Sequence, residues 1–241
     1  MKHLAIPSGS TSLSGILHTP VAPVGNTLII SHGFRGSKDG GGRAVALAEA
    51  AAAVGCHVIR YDFTPCVNLS CQITELNAVI TYARQTIGGQ IFLLGRSMGG
   101  SASIAAAAAD QRISGLILWA TPWNLDETFR LALGNYYEIL AAGKNITLED
   151  EYGRLQLTPD FIHDFNRHNL LACVKQLSTT PILVIHGTAD VIVPANQAHT
   201  LYQHASEPKK LILFPDGDHH LAAYSQEASS AVAEWLSGFV R

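Results

Sequence analysis

The stretch "IFLLGRSMGGSASIAAAA", residues 91–108, joins an apolar run to an alanine-rich run through a glycine-rich turn. The first run is typical of a buried strand, and the alanines strongly favour a helix. The turn between them, Gly95 to Gly99, carries a GxSxG pattern with Ser97 at its centre. The pattern alone is weak. Between a strand and a helix, however, it predicts a sharp turn that holds the serine in strained geometry at the carboxyl end of a sheet. The alternative is a helix N-cap serine packed among glycines.

Apolar runs and helical stretches alternate along most of the chain. Continuous Val, Ile and Leu runs of this length are typical of strands that are buried on both faces, as in a parallel sheet. The alternation therefore predicts an α/β fold with a mostly parallel central sheet flanked by helices. The predicted strands are 27–33, 57–63, 90–97, 114–122, 181–190 and 209–217, and the predicted helices are 43–54, 70–86, 98–109, 169–178, 195–205 and 221–240.

Two segments depart from this alternation. The N-terminal "HLAIPSGSTSLSGILHTP", residues 3–20, has a turn-rich centre between alternating arms and predicts an antiparallel hairpin at the sheet edge. Residues 122–168 are rich in aromatic and charged residues and lack a strand run. We interpret them as a small lid inserted within a single domain of residues 1–241.

Candidate partners for the serine follow later in the chain. A serine hydroxyl is a poor nucleophile and needs a base, which needs an orienting acid. After a strand–turn–helix nucleophile these groups come in the order acid, then histidine. Asp190 ends the run 181–190, and His219 and His220 follow the run 209–217. The histidine pair alone is also compatible with a metal site or with two surface residues.

Six segments, which span nearly the whole chain, resemble the α/β-hydrolase family: "GILHTP", "SHGFRGSK", "VIRYDF", "LLGRSMGG", "PILVIHGTADVIVP" and "FPDGDHHL". Within it they are most similar to the serine esterase and acyltransferase branch that includes cinnamoyl and feruloyl esterases. The resemblance implies Ser97 as nucleophile, Asp190 as acid and His219, directly after Asp218, as base. Adjacent residues at a helix start point about 100° apart, so His220 is expected at the pocket rim or in solvent.

The resemblance also implies an oxyanion hole, in which two N–H groups stabilise the charge that develops on a carbonyl oxygen. The donors are the backbone N–H groups of Met98 and of Phe34, which lies in the loop after the third strand. His32 is expected to brace this loop through hydrogen bonds. The chain departs from the family after "YDF", where Pro65 and Cys66 replace a glycine-rich turn. The resemblance therefore does not define the pocket beside this loop.

Aromatic residues of the inserted segment are candidates for the substrate pocket. Trp123, Tyr136 and Tyr137 are predicted to line it, with packing of the lid on the body as the alternative. Arg35, or Lys38, is a candidate to meet an anionic substrate group. Both lie in the glycine-rich stretch 35–43, which lacks a phosphate-loop pattern and is predicted to form a mobile rim.

Histidines in "DFIHDFNRHN", residues 160–169, raise the question of a metal site. The spacing of His163, Asp164 and His168 is not that of an HExxH motif, and no cysteine ligand lies nearby in the sequence. A solvated helix face is the favoured interpretation.

Composition excludes several classes of protein. Hydrophobic residues make up 47% of the 241 residues and charged residues 15%, as in a globular protein. The net charge of -3 gives no basic patch for nucleic acid or an anionic membrane. No apolar run approaches the roughly 20 residues that span a bilayer. We see no signal peptide and no CxxC pair among Cys56, Cys66, Cys71 and Cys173, so we expect reduced thiols and a cytoplasmic location.

The sequence thus predicts a serine hydrolase that cleaves carboxylic esters through an acyl-enzyme, without a metal or organic cofactor. Its partner is expected to be a small-molecule ester or thioester, and a homodimer is left open. The alternatives are an acyl thioesterase or acyltransferase with the same triad, a peptidase, and a non-catalytic binding protein on this fold.

Overall fold

The computed structural model of the chain describes residues 1–65, 67–150 and 152–239. Its strands are Lys2–Ser8 (β1), Thr11–His18 (β2), Asn26–Ser31 (β3), His57–Tyr61 (β4), Gln90–Arg96 (β5), Ile113–Trp119 (β6), Ile146–Asp150 (β7), Gly153–Leu157 (β8), Ile182–Gly187 (β9) and Lys209–Phe214 (β10). Its α-helices are Arg43–Ala53 (α1), Leu69–Thr86 (α2), Met98–Ala109 (α3), Leu125–Leu133 (α4), Asn135–Ala141 (α5), Asp160–His163 (α6), Leu170–Gln176 (α7), Ala195–His204 (α8) and Ser225–Ser237 (α9). Short 3-10 helices cover Gly40–Gly42, Asp164–Arg167 and Ala222–Tyr224.

One large sheet organises the molecule, with strand order β1-β2-β4-β3-β5-β6-β9-β10. Six neighbouring strands of this sheet run parallel, namely β4, β3, β5, β6, β9 and β10. β1 and β2 form an antiparallel hairpin at one edge, and β2 pairs antiparallel with β4. The central strand β3 is buried along its whole length, which explains its continuous apolar run. β1 mostly alternates between buried and exposed residues, as expected where one face meets solvent. The predicted α/β fold and edge hairpin are confirmed.

Helices cover both faces of this sheet. On one face, side chains of α2, α3, α7 and α8 join the larger cluster of buried apolar residues. On the other face, α1 and α9 pack against the same strands in a second cluster. Burying both faces of a parallel sheet in this way removes apolar surface from water on each side of its strands. The carboxyl edge of the sheet is left for the loops that follow β3, β5, β9 and β10.

The connection from β5 to α3 consists of one residue, Ser97, and is tightly packed. A Cβ atom on Gly99 would lie 2.6 Å from the carbonyl oxygen of Ser31 and closer still to that of His32. A Cβ atom on Gly95 would overlap the backbone of Gly99 and Gly100. The glycines therefore let α3 start in direct backbone contact with β3 and β5. This contact is the physical basis of the GxSxG pattern in this chain.

Residues 122–168 contain more regular structure than the sequence predicts. After α4 and α5, β7 and β8 form an antiparallel pair, so the expectation that no strand lies in this segment is wrong. The two strands are short, and only Ile146 and Leu157 among them are fully buried. Such strands lack the apolar run that marks a central strand, and therefore the pattern missed them.

The segment around Asp164 is not a solvated helix face, contrary to the sequence prediction. Asp164 is only 1% exposed and accepts hydrogen bonds from the backbone N–H of Ser70 (2.8 Å) and from its hydroxyl (2.6 Å). His168 Nε2 lies 2.8 Å from the same hydroxyl. The polar residues thus tie the end of the inserted segment to the start of α2. Cys66 lies outside the described residues, so the expectation of a reduced thiol there is not tested.

Gly99→Ala should destabilise the protein, because the added methyl group would overlap two carbonyl oxygens of the backbone. We expect the free energy of unfolding to fall by about 1–3 kcal/mol, the range for overpacked interiors. Urea denaturation followed by circular dichroism measures this change. Gly238→Ala is the matched control, since its new methyl group would make only an ordinary contact. Equal stability of the two variants would contradict the close approach.

Candidate active site

Ser97 occupies the turn between β5 and α3 in a conformation that is unusual for a residue with a side chain. Its φ is 50° and its ψ is −129°. The turn is held by hydrogen bonds from Ser97 N to Trp119 O (2.9 Å) and from Gly100 N to Ser97 O (2.8 Å). Such geometry persists only where the surroundings enforce it, and it is concentrated at functional sites. The sequence prediction of a strained serine turn is confirmed.

Asp190 follows β9 and is fixed by hydrogen bonds to both carboxylate oxygens. Oδ1 accepts from the backbone N–H groups of Ile192 and Val193, each at 2.9 Å. Oδ2 accepts from His219 Nδ1 at 2.7 Å. The residue is 6% exposed, so these contacts lie largely out of water. The carboxylate therefore has one defined orientation, with Oδ2 directed at the loop after β10.

A second histidine supports the same carboxylate. His186 is fully buried on β9, and its Nε2 lies 2.8 Å from Val193 O and 3.3 Å from Asp190 Oδ2. Burial alone would raise the pKa of Asp190. The hydrogen bonds from His186, His219 and the Val193 N–H outweigh it and hold that pKa well below its usual range. His186 is structural, as expected, and Asp190 is ionised at neutral pH.

The hydrogen bond to Asp190 selects His219 from the histidine pair. Since the carboxylate accepts from Nδ1, the neutral ring keeps its Nε2 lone pair available as a base. His219 and Ser97 both line one cavity of about 720 Å³. Among the described residues no hydrogen bond joins the Ser97 hydroxyl to His219. In ligand-free sites such bonds are often long and tighten when substrate binds.

His220 lies on the wall of the same cavity but in a different setting. Its carbonyl oxygen accepts a hydrogen bond from Arg96 Nη2 at 3.1 Å. Burial, and then the neighbouring charges of His219, Arg96 and Arg43, lower the pKa of its ring. His220 therefore remains neutral at physiological pH.

The loop after β3 lies directly against the serine turn. A Cβ atom on Gly33 would lie 2.9 Å from the Cβ atom of Ser97, so only glycine allows this approach. Phe34, the next residue, lines the cavity with Ser97. Met98 is the first residue of α3, where the backbone N–H has no partner within the helix. Both predicted oxyanion donors thus belong to the backbone around the serine.

His32 braces this loop as expected. Its Nδ1–H donates to Gly33 O at 2.8 Å, and its Nε2 accepts from the backbone N–H of Phe63 at 3.0 Å. These two contacts require the neutral ring with its proton on Nδ1. Burial is the main cause that lowers the pKa of His32 and favours this neutral form.

The predicted pocket residues divide into two pairs. Arg35 and Tyr136 line the cavity, whereas Trp123 and Tyr137 lie outside its lining. Tyr137 is buried with its hydroxyl donating to Asp126. The backbone N–H of Trp123 donates to Gln197 Oε1 at 3.0 Å. Their packing inside the molecule is the alternative that the sequence left open.

Comparison with known proteins agrees with this architecture. The profile of the prolyl oligopeptidase family matches residues 72–240, which include Ser97, Asp190 and His219. The chain belongs to the prolyl oligopeptidase family. Among curated relatives, it is 29% identical over 162 residues to the uncharacterized protein YfhR of Salmonella typhimurium, covering 63% of this chain and 47% of that protein. It is 24% identical over 184 residues to a monoglyceride lipase homolog of Monkeypox virus, covering 67% of each. The chain spans about half or less of the length of the YfhR proteins it matches.

Solved structures share the fold of this family member and confirm the predicted α/β-hydrolase architecture. Est1E of Butyrivibrio proteoclasticus, in its complex with ferulic acid, has a TM-score of 0.84 at 23% identity, covering 97% of both chains. The esterase domain of a Rhodothermus marinus protein has a TM-score of 0.77 at 21% identity, covering 100% of this chain and 99% of that one. At such identities the likeness establishes the fold.

Several cavity residues of this family member were not predicted from sequence. Ala132 and Leu133 of α4 line the cavity beside Phe129, three and four residues before them, and this helical spacing is a signal that could have found them. Phe129 also contacts the ring of Phe34, with 5.2 Å between ring centroids. Arg96, adjacent to Ser97, was overlooked because the pattern treats its position as variable. In the described part of the chain, no helix is both long and apolar enough to cross a membrane.

The brace formed by His32 should make stability depend on pH. The folded state favours the neutral ring, so its contribution is complete above the unfolded pKa of about 6.5 and is lost as pH falls through the lowered folded pKa. We expect wild type to lose stability on acidification below about pH 6.5. His32→Gln should lose less over the same range in urea denaturation. The exposed His199→Gln is the control and should behave as wild type. Parallel curves for wild type and His32→Gln would refute this assignment.

Proposed function

We propose that this protein is a serine hydrolase that cleaves carboxylic esters. The observation that carries the proposal is the 2.7 Å hydrogen bond from His219 to Asp190, on a cavity wall that also holds the strained Ser97. An oriented histidine and a serine at a strand–turn–helix junction that line the same cavity form the arrangement that acyl transfer requires. Cytoplasmic location and a small-molecule partner remain part of the proposal.

The reaction would proceed in two halves. Ser97 Oγ attacks the ester carbonyl carbon while His219 Nε2 takes the hydroxyl proton, and Asp190 stabilises the imidazolium. The N–H groups of Met98 and Phe34 hold the negative carbonyl oxygen. Collapse of this intermediate breaks the bond to the alcohol oxygen, which receives the proton from His219. Water then attacks the acyl-enzyme with His219 as base, the bond from the acyl carbon to Ser97 Oγ breaks, Oγ takes the proton back from His219, and the acid is released.

The cavity wall supports an apolar acyl or aromatic group in the substrate. Phe34, Phe129, Leu133 and Leu148 contribute carbon surface to it. Binding sites commonly bury ligands against such side chains and orient them with a few polar groups. Most of this apolar wall comes from residues 122–168, which we propose act as a lid within a single domain. The ferulic acid in the related Est1E structure is consistent with such a pocket.

Peptide cleavage is the second candidate, because the chain belongs to a family named for oligopeptidases. The same triad can also process acyl thioesters. A panel of nitrophenyl esters, methyl ferulate, acyl-CoA and aminoacyl amides would separate these activities. Oxygen esters should be turned over fastest, and a faster reaction with thioesters or amides would replace the present proposal.

Ser97→Ala should abolish ester turnover, because no other group in the proposed mechanism can form the acyl-enzyme. We expect kcat/KM for a nitrophenyl ester to fall by on the order of 10⁴-fold or more. A fluorophosphonate probe should label wild type once and the variant not at all, as read by intact mass. Circular dichroism controls for folding. Turnover that survives in folded Ser97→Ala would rule out the mechanism.

The two neighbouring histidines should differ sharply. His219→Ala removes the imidazole that donates a hydrogen bond to Asp190, so this variant should lose nearly all ester turnover. His220→Ala should keep most of it. The kcat of both variants on one nitrophenyl ester is the measurement. The reverse result would assign the base to His220.

A further inference from the structure

Two arginines on the cavity wall form no ion pair with any acidic residue that the structure describes. The cavity that contains Ser97 is lined by four cationic side chains: Arg35, Lys38, Arg43 and Arg96. Arg35 pairs with Asp150 at 2.7 Å, and Lys38 pairs with Asp62 at 3.0 Å. Among the described residues, neither Arg43 nor Arg96 forms an ion pair. Arg35 and Lys38, the candidates from sequence to meet an anionic substrate group, are thus already paired with carboxylates. Arg43 and Arg96 have no such pairing with a described residue.

Arg96 is held rigidly beside the serine. Its guanidinium carbon lies 5.0 Å from the centroid of the Trp119 ring, and Nη2 donates to the carbonyl oxygen of His220. Burial, followed by the charge of Arg43, lowers the pKa of Arg96 to about 10, while Asp218 acts in the opposite direction. Arg96 is therefore still charged at neutral pH. A guanidinium carries five N–H donors, and the contact to His220 uses only one nitrogen.

Arg43 supplies the second unpartnered group. It is the first residue of α1, and its Nε is buried without a hydrogen-bond partner. Three glycines precede it, Gly40 to Gly42, so no side chain from this turn fills the adjacent space. A buried donor without a partner is costly, and such donors are usually satisfied by water, an ion or a ligand.

We propose that Arg43 and Arg96 form an anion subsite, which binds an oxyanionic group, a carboxylate or a phosphate, on the substrate. This inference rests on the proposed function and narrows its substrate to esters that carry a negative charge away from the reacting carbonyl. Paired guanidinium donors match the oxygens of such groups and bind them through charge-assisted hydrogen bonds. The apolar wall from α4 would hold the carbon chain that joins the charge to the ester.

The test compares three sets of nitrophenyl esters that differ only in a terminal carboxylate, phosphonate or neutral methyl ester, each over several chain lengths. Wild type should prefer one anionic set over the neutral set by about 10-fold or more in kcat/KM, and that set identifies the anion. Arg43→Gln should reduce this preference about 10- to 100-fold while turnover of the neutral esters stays within about 3-fold. A wild type that does not prefer either anionic set, or a preference that Arg43→Gln retains, would overturn the subsite.

Controls separate charge, folding and chemistry. Arg112→Gln removes one positive charge at an exposed site outside the cavity and should keep the preference. Arg96→Lys keeps the charge but not the paired donors and should also lose preference for the anionic esters. If no ester is turned over at all, the proposed function is wrong, but the anion subsite can still be tested. Calorimetry would then measure binding of the anionic and neutral esters to Ser97→Ala. Selective binding of an anionic ester that is lost when Arg43→Gln is added to Ser97→Ala would support the subsite. Equal binding of anionic and neutral esters would overturn it.

Discussion

The backbone contact between β3, β5 and the start of α3 is the constraint on which the rest of the structure depends. Gly95, Gly99 and Gly100 bring these chains so close that even a methyl group would overlap backbone atoms or Thr121. Because the helix must begin at that point, Ser97 is forced to φ 50°. The same close packing places Gly33 against Ser97, and the loop after β3 therefore lies alongside the serine turn. A packing requirement between strands and a helix thus fixes the position and the backbone conformation of Ser97.

A network of hydrogen bonds also fixes the loops that follow the neighbouring strands. Asp190 is oriented by two backbone N–H groups and by His186, and it in turn orients His219. His32 joins the loop after β3 to the end of β4 in a similar way. Loops at a sheet edge are ordinarily the most mobile parts of a fold. Here each loop is attached to a buried side chain, so the site has a rigid frame.

The sequence predicted the parts of this protein that depend on strong local patterns. Buried strands give continuous apolar runs, and the turn around Ser97 can be recognised because glycines are required at fixed positions. Asp190 and the pair His219 and His220 could be placed because they follow such strands, and the resemblance to α/β-hydrolases then implied His219. The pocket was harder to predict. Whether Trp123 or Phe129 faces a cavity depends on the packing of α4 against the body, which composition does not encode. Arg43 and Arg35 lie in one glycine-rich stretch, and only the structure distinguishes the paired cation from the unpaired one.

The ion pair between Arg35 and Asp150 connects two elements that are far apart in the chain. Arg35 directly follows Phe34 and donates to Asp150 (2.7 Å) and to Gly153 O (2.6 Å) in the β7–β8 hairpin. Any displacement of that hairpin therefore pulls on the residue next to the Phe34 N–H. The position of the β7–β8 hairpin and the position of the loop after β3 are thus linked through one side chain. Because partly exposed ion pairs weaken as salt screens them, ionic strength acts on this link between the two segments.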